Sequence, residues 1–365
     1  MRNASGALAA LLLLACGGHP AAAPSPAGGD LLYIVNQSGA TISIIDQRRL
    51  TVDTVLDLRT MGFSANAKPH HVTVEPDGSY WYVTLIGDGR VLKLDRANHV
   101  VGQVRMETPG LVELDPTGDS LFVGRSMTAP APPKSLGVIR RSTFTLVDEQ
   151  EVQIPRPHAL VMTRDGRWVH TASLAENTIT SVNTATGRIT LTRMPGSPRS
   201  LVQFTISPDG HTMVAGGELS NSVLIFDLTR PPPLTFAEVT VGTPDQSTKP
   251  WDPVFSRDGR SVFFSCFGAN TVVQIDLAQH RVVRTITGHF AQPYDMIMRR
   301  DGKYLFVVNQ NTGIEPKPGE SGHAGMAPGT PHDGWLSVID VASGRVVKEL
   351  PLGNGPTGMG AAGAR

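Results

Sequence analysis

Residues 69–78 read Pro69-His70-His71-Val72-Thr73-Val74-Glu75-Pro76-Asp77-Gly78. A proline opens a short run of β-forming residues, and the run ends in an Asp-Gly turn. Asp-Gly between apolar runs is a strong hairpin signal, because glycine takes a positive φ without a Cβ clash. The unit returns as Pro293-Tyr294-Asp295-Met296-Ile297-Met298-Arg299-Arg300-Asp301-Gly302. Between these two copies lie Thr117-Gly118, Asp165-Gly166, Asp209-Gly210 and Asp258-Gly259. Successive turn glycines are 40, 48, 44, 49 and 43 residues apart. Several short strands repeating at that period are the mark of propeller blades.

Further runs repeat after each turn. Thr41–Asp46, Val91–Asp95, Ser222–Asp227, Thr271–Asp276 and Leu336–Asp340 align as one strand type, and Val282–Ile286 typifies the outer strand that follows. The chain passes from Gly29-Asp30 straight into a second-strand pattern, Leu31-Leu32-Tyr33-Ile34-Val35-Asn36. Its missing partner is Gly355-Pro356-Thr357-Gly358-Met359 at the other end. The sequence therefore predicts an all-β fold, a seven-bladed β-propeller of four-stranded antiparallel blades. The C-terminal strand joins the N-terminal blade and closes the ring, hiding the free strand edges. The opening prolines are read as Pro69, Pro109, Pro157, Pro198, Pro250, Pro293 and Pro356.

The N-terminus reads differently. Arg2 precedes the apolar run Ala7–Ala15, which is too short to span a bilayer and fits a signal-peptide core. Leu13-Leu14-Ala15-Cys16 resembles a bacterial lipobox, which implies cleavage before Cys16 and lipidation of that residue. Residues 1–15 are expected to be a lipoprotein signal peptide and 16–29 a Pro/Ala/Gly tether, with the propeller over 30–365. The resemblance implies an exported protein held in the cell envelope by its lipid. Gly17 rather than Asp after the cysteine points to the outer membrane, facing the periplasm or the cell surface. The membrane is met through the anchor alone. The second cysteine, Cys266, sits in Val262-Phe263-Phe264-Ser265-Cys266-Phe267 and reads as a small buried hydrophobe. Lys+Arg and Asp+Glu are 32 each, so no basic footprint for nucleic acid exists.

The units Tyr33-Ile34-Val35-Asn36, Trp81-Tyr82-Val83-Thr84 and Leu305-Phe306-Val307-Val308-Asn309 resemble the YVTN family of β-propeller repeats. That resemblance covers about residues 30–360 and implies an exported seven-bladed propeller. The wider group takes in surface-layer modules and nitrous-oxide-reductase-like and haem-d1-type propellers. A narrower resemblance joins Pro157-His158-Ala159-Leu160-Val161, Ser197-Pro198-Arg199-Ser200 and Gly217-Glu218-Leu219-Ser220-Asn221 to the seven-bladed lactonase family. It implies His158, Arg199 and Glu218 as catalytic or lactone-binding residues, arginine stabilising an oxyanion and Glu or His acting as a general base. Two departures stand against it: Ser200 replaces a histidine, and Ser173-Leu174-Ala175 replaces Asp-Leu-Gly.

Residues just after each opening proline line one mouth of a propeller's channel. The expected ligand-binding set is His70, His71, His158, Arg199, Trp251, Asp252, Tyr294 and Asp295. His70, His71 and His158 are also candidate ligands for a transition metal, or neighbours of a haem. The loop 311–333, with His323, Met326 and His332, reads as a surface insertion, as does Ala129–Lys134. The leading expectation is an envelope-anchored binding or scaffold module for a partner protein of the envelope or a small ligand. The alternatives are lactone hydrolysis and metal or haem binding.

Overall fold

The protein is described by a computed structural model covering residue 1 and residues 30–363, apart from 130, 231, 244–245 and 314–331. Cys16, the tether, His323 and Met326 lie outside the described residues. Strands are numbered in chain order from β1 (Leu31–Asn36), β2 (Thr41–Asp46) and β3 (Thr51–Asp57) to β28 (Pro356–Ala361). They form seven four-stranded antiparallel sheets, and the first has the order β28-β1-β2-β3. The C-terminal strand thus pairs with β1, through Leu32–Ala361, Tyr33–Gly360 and Ile34–Met359.

Each blade forms for a local reason. The third-strand aspartates cap the turn that follows. Asp46 accepts from the Arg48 and Arg49 amides, Asp95 from Ala97 and His99, and Asp340 from Ser343. Such Asx turns are why Asp recurs at this position. Between blades, the faces meet as apolar wedges. Tyr33, Ile42 and Ile44 of the first blade pack on Val72, Trp81 and Leu92 of the second. Tyr33 and Trp81 stack with ring centroids 4.6 Å apart. Cys266 lies in one such wedge with Val214 and Phe264, and burial pushes its thiol up to about 12.

The inner strands are β28, β4 (Pro69–Val74), β8 (Pro109–Leu114), β12 (Pro157–Met162), β16 (Leu201–Ile206), β20 (Pro250–Phe255) and β24 (Pro293–Met298). Six begin at the predicted proline. The exception is β16, which begins at Leu201, three residues beyond Pro198. Its pairing confirms the shift, since Leu201 faces Gly217 as Pro157 faces Ser173 and Pro250 faces Cys266. Every inner strand is preceded by a residue of positive φ: Lys68, Thr108, Arg156, Ser200, Lys249, Gln292 and Gly355. That left-handed residue, rather than the proline, is the constant of the mouth.

Candidate functional site

In these strands the register breaks between the first and fourth residues, for example between Pro69 and Val72. At three of these strands a side chain from the preceding blade accepts from the fourth residue's amide. His71 Nδ1 accepts from Val112 N at 3.2 Å. Asp252 Oδ2 accepts from Met296 N at 2.7 Å, and Asp295 Oδ2 from Met359 N at 2.6 Å. A second link runs beside it. The Thr84 and Ser265 hydroxyls donate to the carbonyls of Gly110 and Tyr294, each on the next blade. His71, Asp252 and Asp295 are therefore latches between blades, although they line the mouth.

The mouth itself is formed by His70, His71, Leu111, His158, Val202, Gln203, Trp251, Asp252, Tyr294, Asp295 and Gly358. Seven of the eight expected residues meet there. Arg199 does not, because the start of β16 moves Val202 and Gln203 into its place. The Arg199 guanidinium turns to the outer strand, where Nη2 meets Glu238 at 3.1 Å and Nη1 donates to Pro195 O at 2.8 Å. Glu218 is 3% exposed and accepts from the Ser200 hydroxyl at 3.0 Å. His158, Arg199 and Glu218 thus do not converge through their functional groups.

One side of the mouth is aromatic. Trp251 stacks on Phe267 at 4.9 Å and tilts against Tyr294 at 5.1 Å, with Met127, Leu174 and Val202 around them. The indole N–H hydrogen-bonds the Tyr294 phenol, whose acidity burial and the charges of Asp295, Glu218 and Asp252 suppress. Imidazoles form the other side. His70 and His158 lie with ring centroids 6.2 Å apart. Burial, and secondarily His158, pushes His70 down to about 3; burial pushes His158 down to about 4. Both rings are neutral at pH 7. His158 Nδ1 lies 3.0 Å from Arg125 O, a carbonyl that only accepts, so this nitrogen carries the proton. His70 Nδ1 likewise faces Gln37 Oε1 at 3.0 Å. Each ring is left with an unprotonated Nε2, and that of His70 is buried with no hydrogen-bond partner.

Haem does not fit here. The free space at the mouth is about 10 Å³, room for about one water-sized group. Among the described residues no three His, Cys, Asp or Glu side chains group so as to hold a metal ion. The rings of His70 and His158 meet as a pair, and His71 Nδ1 is occupied by the Val112 amide.

The sequence matches the family described as lactonase, 7-bladed beta-propeller, over residues 1–314. The chain belongs to this lactonase family. No curated protein matches it. Among solved structures, it is similar to a functionally unknown protein from Desulfotomaculum acetoxidans DSM 771 (15% identity, TM-score 0.72, covering 90% of this chain and 98% of that one). It is also similar to Kuenenia stuttgartiensis hydrazine synthase, at 16% identity and TM-score 0.66, covering 90% of this chain and 99% of that one. Dihydro-haem d1 dehydrogenase NirN in complex with DHE follows at 17% and 0.62, covering 94% and 78%. At such identities the likeness is one of fold.

Within this lactonase-family propeller, the sequence reading missed one group. Lys249, the left-handed residue before β20, is 2% exposed. A lysine in a loop reads as solvated, and nothing in its neighbours announces burial.

Proposed function

We propose that the protein is a binding module of the cell envelope, exported and anchored through Cys16, whose channel mouth receives a hydrogen-bond donor group of a small ligand. The observation that supports this is the tautomer pair. Two neutral imidazoles offer Nε2 lone pairs, and a buried acceptor without a partner calls for a donor. Hydrolysis of an ester or lactone needs the opposite, donors aimed at a developing oxyanion. The guanidinium that would serve is turned away to Glu238. A hydroxyl or amino group fits the space and the polarity, and the Trp251, Phe267 and Tyr294 wall covers its apolar side.

Lactone hydrolysis is the second reading. Family membership and the buried Glu218 carboxylate favour it. One set of experiments separates the two. Trp251 serves as a native reporter for titration with ethanolamine, glycerol and acetate, with Trp251→Phe as the blank. Binding of the two donors but not acetate, lost in His70→Phe, is the expected result. Turnover of γ- or δ-lactones in a pH-stat, abolished by Glu218→Gln, would replace the binding reading with the hydrolytic one.

A further inference from the structure

The other end of the channel is different in size and charge. A cavity of about 540 Å³ extends from the middle of the inner strands to the turns that follow them. That volume lies in the range of small-molecule sites. Val161, Val254 and Ile297 give it an apolar wall. Arg164 and Arg257 stand at its rim, each following an inner strand. Arg164 donates through Nε to Ser207 O at 2.9 Å and through Nη2 to Ile206 O at 3.4 Å. Arg257 repeats this one blade pair on, through Nη2 to Met298 O at 2.8 Å and Nε to Arg299 O at 3.3 Å. The backbone thus fixes both guanidiniums and leaves Nη1 of each without a hydrogen-bond partner among the described residues.

Neither arginine forms a salt bridge within the described protein, whereas Arg141 at the same end is neutralised by Glu75 at 2.7 Å. Burial works against the charge of both arginines; Arg300 and Arg164 add repulsion at Arg257, while Asp301 attracts Arg257 and Asp209 attracts Arg164 at longer range. Deeper in the cavity the wall carries Glu113. It lies on the fifth residue of its inner strand and the arginines two residues beyond the sixth of theirs, a depth difference of about 10 Å at the strand rise. Asp115 and Asp252 also line the space, but Asp115 caps its own turn at Thr117 and Gly118, and Asp252 holds the Met296 amide.

The geometry points to a second ligand site, for an amphiphilic monoanion that puts its carboxylate or phosphate between Arg164 and Arg257 and its apolar body along Val161, Val254 and Ile297. Arginine suits such a head group because its planar fork offers paired donors to an oxyanion. Glu113 at the inner end rejects a second negative charge, so selectivity rests on repulsion as well as attraction.

Calorimetric titration of the full chain with hexanoate and with adipate tests this. Hexanoate should bind, and adipate, charged at both ends, should bind about tenfold or more weakly. Glu113→Gln should close that gap. The double change Arg164→Gln with Arg257→Gln should weaken hexanoate by about tenfold or more. Because those arginines also hold backbone carbonyls, the intact protein supplies an independent readout: its hexanoate affinity must fall as NaCl is raised. Affinity indifferent to salt, equal affinity for the two acids, or no heat with hexanoate at millimolar concentration would overturn the proposal. His70→Phe must leave hexanoate binding intact, which separates this site from the mouth.

Discussion

Acidification should unfold this propeller in the window where histidines titrate, not carboxylates. His70, His158 and His170 are buried, and burial pushes them down to about 3, about 4 and about 4. In the unfolded chain each takes a proton near pH 6.5. A group with a depressed folded value contributes stability that is present above its unfolded value and lost as pH falls toward the folded one. Each ring should therefore remove about 1.4 kcal/mol per pH unit below about 6.5. By about pH 5 that is about 2 kcal/mol for each ring and about 6 for the three, against a typical total of about 5–15. Urea unfolding followed by far-UV circular dichroism at about pH 7, 6 and 5 reads the slope directly. His170, bonded through Nδ1 to Ser181 at 2.8 Å, lies outside both proposed sites, so His170→Gln should flatten the slope by about one third whatever it does at neutral pH. Stability that stays level between about pH 6.5 and 5 would refute the reasoning.

Other outcomes follow from the same contacts. Asp295→Ala strands the Met359 amide, which joins the closing strand to its neighbour, and should cost about 1–3 kcal/mol in urea unfolding. Removing residues 356–365 takes away β28, exposes the edge of β1 and should abolish cooperative unfolding. Gly216→Ala would place a Cβ 2.2 Å from the Pro250 carbonyl of the next blade and should lower the melting temperature by several degrees. Cys16→Ala should move the protein from the membrane fraction to the soluble envelope fraction.

The sequence carried the fold because its signals were local. The Asp-Gly turns and third-strand aspartates satisfy their own backbone, so β2, β18 (Ser222–Asp227) and β22 (Thr271–Asp276) begin and end where the pattern placed them. The site was harder to read because it depends on register between blades. Pro198 lies in a loop and imitates an opening proline. Spacing distinguishes it: the first inner-strand residue precedes its turn glycine by nine positions in Pro69–Gly78, Pro109–Gly118, Pro157–Gly166, Pro250–Gly259 and Pro293–Gly302, and Leu201–Gly210 keeps that interval. The latching role of His71, Asp252 and Asp295 was out of reach, because it answers amides some forty or more residues away. Glu218 is buried and accepts from the Ser200 hydroxyl, which nothing in its local sequence announces.

The acceptor character of the mouth depends on the protonation of two rings. Long-range proton–nitrogen spectra of the protein labelled with nitrogen-15 histidine report which nitrogen carries the proton. His70 and His158 should both show Nδ1–H with a bare Nε2 at pH 7, and should keep that form to about pH 5. A proton on Nε2 of either ring, or imidazolium signals near pH 6, would contradict the acceptor-lined mouth and the binding role built on it.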